Sequence, residues 1–391
     1  MNIAFFCIPA HGHTNPTLAV VRELTARGHT VRYYTTEAFR AKVEAAGAVF
    51  VPFDTEAARP GMTAADGARL GSDLTFSTKL IVDLTLAADD WLSRELTAHR
   101  PDVIAGDSMA FWAKLAAKKH GIPFVSSTTT FAFNRFSAKV IEQNGAGFLQ
   151  FLLAQPRINR QLKRLRAAGY AVKSVFDIIA NDNEAETVVY TSPDFQPCAD
   201  TFSEKYHFVG PLLRPAQSSF EKLPGRSLIY ISLGTVNNDA LPFYRACLAA
   251  FGGDPRFQLV LSAGTQTDLA ALGPIPENCT VRASVDQMAV LDCADIFLTH
   301  CGMNSASEGL WHGLPLVLYP QTPEQHGVAN RVAALGAGVP LTDPSADGIR
   351  RAVETALTDP SYRENAQKLA GSFRRCGGAA EAADAIEHAA N

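Results

Sequence analysis

The chain has 391 residues, 47% of them hydrophobic and 19% charged, with a formal net charge of −4. That length suits two domains with separate cores, and the mixed, mildly acidic charge excludes a nucleic-acid footprint or a polybasic membrane patch. Seven scattered cysteines without a CxxC pair read as reduced thiols of a cytoplasmic protein, the opening apolar run lacks the basic leader of a signal peptide, and no stretch reaches the roughly 20 apolar residues of a membrane span.

The first third alternates strand and helix. IAFFCI (Ile3 to Ile8) reads as a buried strand, followed by a helix from Asn15 to Arg27 that Gly28 stops. TVRYYTT and VFVPF are two further strands around a helix near Glu37 to Ala46. VIAG (Val103 to Gly106) and FVSS (Phe124 to Ser127) are two more, with a helix from Ala110 to His120 between them. Repetition of this unit predicts a parallel sheet covered by helices on both faces. Arg135 to Ala168 is helical but irregular, as an insertion would be. Residues 209–225 hold three prolines and few periodic apolar positions, and read as a linker. Strands then resume with SLIYIS, QLVLS, DIFLT and LPLVLY, and the chain is helical from about Ser361. The expected architecture is α/β: two doubly wound, Rossmann-like domains facing a cleft, with a C-terminal helix returning to the first domain. The expected divisions are 1–208, a linker at 209–225, a second domain at 226–360 and a tail at 361–391.

The densest polar chemistry lies in THCGMNSASEGLWHGLP, Thr299 to Pro315. A strand runs into a tight turn, where Gly302 allows close backbone approach, and then into a helix that Asn304 or Ser305 can cap. A helix start after a strand is an anion site, and His300, Asn304 and Ser305 add side-chain donors. Glu308 follows one helical turn later. A carboxylate there repels phosphate but grips a neutral diol, so the set points to a ribonucleotide diphosphate. Gly234 and Thr235 in SLGTV face the same pocket. Glu324 and Gln325 in PQTPEQ are placed to bond sugar hydroxyls.

HCGMNS with Glu308, followed by Glu324–Gln325, resembles the donor-binding signature of inverting UDP-sugar glycosyltransferases of the GT-B fold, the family of plant secondary-product and bacterial macrolide enzymes. In the first half, HGHTNP (His11 to Pro16) is similar to that family's GHxxP acceptor motif, and the resemblance spans nearly the whole chain. It implies that His13 is the general base and that Asp107, in PDVIAGDSMAFW, orients it, with His11 structural. The physics agrees: an acceptor hydroxyl needs a neutral imidazole as base, and a carboxylate fixes its tautomer and stabilises the imidazolium. No DxD motif stands in a metal-binding context, so neither a metal nor another cofactor is expected. UDP-glucose or a related UDP-hexose is the implied co-substrate, with glucose suggested by Gln325.

The sequence departs from the family at RASVDQ. Ser284 stands where an aromatic residue usually stacks on the base, and Asp286 replaces a proline, while Val285 and Gln287 keep their places. Base choice is therefore expected to be loose. Met62, Phe76, Met109, Phe111, Trp112, Phe131 and Phe133 are expected to line the site of a small hydrophobic acceptor, a phenol, flavonoid, macrolide or steroid. A nucleotide-sugar epimerase on the same fold would need no His13–Asp107 pair. A non-catalytic sugar-nucleotide binder would keep His300 and Glu308 without a base. A nicotinamide dehydrogenase would show GxGxxG after the first strand, where this chain has HGHTNP.

Overall fold

The computed structural model describes residues 1–53, 73–134, 136–137, 147–179, 185–235 and 237–391. They form two compact units. The first comprises Met1–Tyr190, Gln196–Leu212 and Gly377–Asn391, and the second Thr191–Phe195 and Leu213–Cys376.

The first unit is built on seven described strands: β1 (Asn2–Phe6), β2 (Thr30–Thr35), β3 (Val49–Pro52), β4 (Val103–Asp107), β5 (Phe124–Thr128), β6 (Glu186–Val189) and β7 (Tyr206–Phe208). They run in the order β3-β2-β1-β4-β5-β6-β7, all parallel. Alternation along the strands sorts side chains into two layers. Ile3 and Phe5 join Tyr33, Val103 and Ala105 in one layer, and Ala4 and Phe6 join Tyr34 and Ile104 in the other. Tyr33 stacks on Phe5 at 5.1 Å and Tyr34 on Phe6 at 4.2 Å. The helices His11–Ala26 and Gly378–Ala390 cover the first layer. Leu74–His99 and Phe111–His120 cover the second.

The second unit repeats the design with six described parallel strands: β8 (Ser227–Ser232), β9 (Phe257–Ser262), β10 (Cys279–Arg282), β11 (Ile296–Thr299), β12 (Leu316–Leu318) and β13 (Gly338–Pro340), in the order β10-β9-β8-β11-β12-β13. In each sheet the strand order reverses beside the first strand, between β1 and β4 and between β8 and β11. Loops at the carboxyl ends of strands flanking such a reversal are where ligands settle in this architecture.

Three local expectations are corrected. The first helix starts at His11, not Asn15, so HGHTNP is its first turn and a half; Pro16 sits inside it. The terminal helix is two helices, Pro360–Arg374 and Gly378–Ala390. The chain turns between them through Gly378, whose φ of +65° suits glycine. The first packs within the second unit and the last within the first. β6, β7, β10 and β13 are strands that the pattern did not single out: each has only three or four residues, too short for alternation to register.

The last helix is held by small residues, Ala382, Ala383 and Ala385, that let it lie close on the sheet, and by Ile386. At its rim Arg27 meets Asp384 at 2.6 Å and Glu387 at 2.9 Å. Such partly exposed pairs add little, so the apolar face carries the docking. Ile386, 2% exposed, is expected to cost about 2–5 kcal/mol when cut to alanine. A lower urea midpoint for Ile386→Ala, with Asp384→Ala near wild type, is the outcome to look for.

Candidate active site

In the first unit, His13 lies in the opening turn of the helix that follows β1. Its N–H and that of Thr14 both bond to the Ala10 carbonyl, at 3.0 and 2.9 Å. Its Nδ1 lies 2.7 Å from Oδ2 of Asp107, the last residue of β4. Asp107 is 1% exposed, and its other oxygen accepts the Met109 backbone N–H at 2.8 Å. A carboxylate oxygen cannot sit that close to a nitrogen lone pair, so Nδ1 carries the proton and donates it to Asp107. Nε2 is thereby left as the basic nitrogen. Thr129 Oγ1, just beyond β5, is a second neighbour of Nδ1 at 3.0 Å. Sequence reasoning missed Thr129, because nothing distinguishes it within the run Ser126 to Thr130.

His11 points elsewhere. It is exposed, with its ring edge-on to Phe39 at 5.0 Å and Nδ1 3.4 Å from Lys42 Nζ. Partial burial and the Lys42 charge both lower its pKa. Lys42 also donates to Asn15 Oδ1 at 3.1 Å.

The apolar candidates divide. Met109 and Phe133 are 46% and 54% exposed and present apolar surface. Phe76 is half-buried in the first turn of Leu74–His99, and Phe111 packs beside Leu115 and Ile81. Phe131 and Trp112 are buried, Trp112 against Phe53 at 5.8 Å, with its Nε1 lacking a partner among the described residues. Met62 lies outside the described residues.

In the second unit, His300 follows β11, and its ring is wedged between two glycines. A Cβ on Gly234 would come within 2.7 Å of its Cε1 and Nε2, and one on Gly302 within 2.5 Å of Nε2. Gly234 also has φ of +80°. Burial lowers the His300 pKa to about 4, only partly opposed by the Ser232 backbone. His300 is therefore neutral near pH 7. Thr235 is exposed beside Gly234, and this loop is pinned by Asn238, whose Nδ2 donates to the Gly234 carbonyl at 3.0 Å.

The capping expectation at this turn is corrected. Gly302 is the N-cap of the helix Met303–Trp311, without a side-chain bond, and Asn304 and Ser305 lie within its first turn. The chain turns at Cys301, whose φ is +62°, and Gly302 brings no side chain to the N-cap, where a Ser, Thr, Asp or Asn would accept from the first-turn N–H groups. Glu308, one turn on, accepts from Gln287 Nε2, and Gln287 Oε1 accepts from the Tyr230 hydroxyl at 2.9 Å. Burial raises the Glu308 pKa, opposed by the Gln287 bond and the Arg214 charge.

Ser284 is exposed and Val285 half-buried. Asp286 is tied to the chain near residue 217: it accepts from the N–H groups of Gln217 and Ser218 at 2.6 and 2.9 Å and from Ser218 Oγ at 3.1 Å. Gln325 closes a capping box with Thr322, and its Oε1 accepts from the N–H groups of Gln321 and Thr322. Glu324 is exposed.

Among the described residues, no group of three or more His, Cys, Asp or Glu is placed to hold a metal ion. None of the described helices is long and apolar enough to cross a membrane, and all seven cysteines are free thiols.

His300 ties stability to pH. With its folded pKa depressed to about 4 from 6.5, the unfolded chain binds the extra proton between those values. Its contribution is full above about pH 6.5 and is lost as pH falls towards 4, by about 3 kcal/mol. Urea unfolding across that range is expected to lose this component in His300→Gln. Gly302→Ala should displace the ring and weaken binding of uridine diphosphate, read by calorimetry.

The erythromycin biosynthesis protein CIII-like C-terminal domain family matches residues 257–387. The NDP-glycosyltransferase YjiC of Bacillus licheniformis is 33% identical over 99% of this chain and 97% of its own length. The demethyllactenocin mycarosyltransferase of Streptomyces fradiae is 34% identical over 99% of this chain and 86% of its own. Among solved structures, the glycotransferase of kitacinnamycin superposes with a TM-score of 0.86 at 31% identity, covering 99% of this chain and 98% of that one. Full-length likeness at this level, on top of two switch-point sheets and a buried His–Asp pair, places the protein: it is an enzyme of the GT-B glycosyltransferase family that includes the bacterial macrolide and natural-product glycosyltransferases.

Proposed function

We propose that this enzyme moves a hexose, glucose in the first instance, from a UDP-sugar to a hydroxyl of a small hydrophobic acceptor, with inversion at the anomeric carbon. The observation that carries the reading is the hydrogen bond from His13 Nδ1 to Asp107, which makes Nε2 the nitrogen that can act as a base. That nitrogen takes the proton of the acceptor hydroxyl as its oxygen attacks the anomeric carbon. The bond to the diphosphate breaks on the opposite face, and UDP departs with the electron pair. Asp107 stabilises the imidazolium without taking its proton. Charge building on the diphosphate meets the start of Met303–Trp311, with Asn304, Ser305, Gly234 and Thr235, while His300, being neutral, contributes a hydrogen bond rather than a charge. Glu308 and Gln287 hold the ribose, Val285 borders the base, and Glu324 and Gln325 hold the sugar.

Met109 and Phe133 give the first unit exposed apolar surface of the kind a greasy aglycone needs; Phe76 and Phe111 are half-buried, and Trp112 and Phe131 are buried. The streptomycete relative is named for mycarosyl transfer to demethyllactenocin. The reaction runs in the cytoplasm, where UDP-sugars are supplied, and needs no metal.

Purified protein given UDP-glucose with flavonols, simple phenols and a macrolide is expected to yield a hexosyl adduct by mass spectrometry. His13→Ala should lower kcat by at least about 100-fold, the range of general base catalysis, with the donor KM little changed; an active His13→Ala would sink the proposed mechanism. Excess EDTA is expected to leave the rate unaltered.

A further inference from the structure

Tyr230 lies in the middle of β8, buried, with its ring stacked on Phe297 of β11 at 4.9 Å. Phenylalanine would fill that space without the cost of burying a hydroxyl. The hydroxyl instead donates to Gln287 Oε1 at 2.9 Å. This fixes the Gln287 amide. Reversed, its oxygen would face the Glu308 carboxylate; as it stands, its Nε2 donates to Glu308 Oε2. A rigid strand thus controls, through one amide, the aim of a carboxylate on a helix.

We propose that Tyr230 is a positioning residue for the donor nucleotide: by orienting Gln287 it holds Glu308 ready for a vicinal diol and sets the preference for a ribonucleotide over its 2′-deoxy counterpart. This rests on the reading of Glu308 as the ribose clamp. Linked hydrogen bonds strengthen one another in a partly dry site, so a hydroxyl with no ligand contact affects recognition.

Tyr230→Phe keeps the ring stack and removes only the link. Steady-state kinetics with UDP-glucose and 2′-deoxy-UDP-glucose give the readout. The variant is expected to raise the KM for UDP-glucose about 3- to 10-fold, the size of one hydrogen bond, with kcat within about twofold. The preference for the ribose donor should shrink by the same factor, and the deoxy donor should be hardly affected. Gln287→Leu cuts the same link and also removes the hold of Gln287 on the ribose, so it should cost at least as much as Tyr230→Phe, with the double variant no worse than Gln287→Leu alone. Melting curves confirm that each variant is folded. If Tyr230→Phe keeps the wild-type preference while Glu308→Gln loses it, the role of Tyr230 is overturned and the donor reading stands. If Glu308→Gln keeps it too, or if the wild type ignores the 2′-hydroxyl, the ribose clamp is overturned and Tyr230 with it.

Discussion

A carboxylate with 1% of its surface exposed must be paired, and the chemistry of the first unit depends on how Asp107 is paired. One oxygen is held by the Met109 backbone and the other by His13 Nδ1 at 2.7 Å. Removing the histidine leaves a buried charge without its partner, a loss usually worth a few kcal/mol. The same bond serves stability and reactivity, because fixing the proton on Nδ1 leaves Nε2 basic. Two neighbouring strands make this possible: β1 feeds the helix that carries His13, and β4, paired with β1 in register from Ile3↔Val103 to Phe6↔Gly106, ends on Asp107. The switch point brings the pair together across 94 residues of sequence.

The second unit solves a different problem with the same sheet geometry. Here the requirement is room and donors rather than basicity. Two glycines flank His300 so closely that any side chain would displace it, and burial keeps the ring uncharged. Gly302 begins the helix without a capping side chain. Glu308 lies one helical turn further on and is bonded to Gln287. The departures at Ser284 and Asp286 fall on a loop tied to residues 217 and 218. Asp286 replaces the rigidity of a proline with three hydrogen bonds, and Ser284 is exposed.

Much of this was legible in the chain itself. Long apolar strands bounded by helices announced two parallel sheets, because strands buried on both faces must be apolar throughout. HGHTNP and HCGMNS stood out because they put more donors and bases at strand ends than a turn requires. Short strands such as β7 and β13 do not register, since three residues carry no period and neither lies in a continuous apolar run like the LPLVLY that marks β12. The start of the first helix was misplaced because Asn15 and Pro16 look like a beginning, although backbone bonds to Ala10 begin it four residues earlier.

The sequence by itself determined the fold class, the two halves and the residues around which chemistry is organised, because periodicity and local motif chemistry need no long-range information. Only the tertiary structure decided which nitrogen of His13 is basic, that Thr129 stands beside it, that Trp112 is core while Met109 is surface, and that Tyr230 reaches Glu308 through Gln287. Each of these depends on the direction of a side chain across strands far apart in sequence. That direction is set by strand register and packing, which no local pattern encodes.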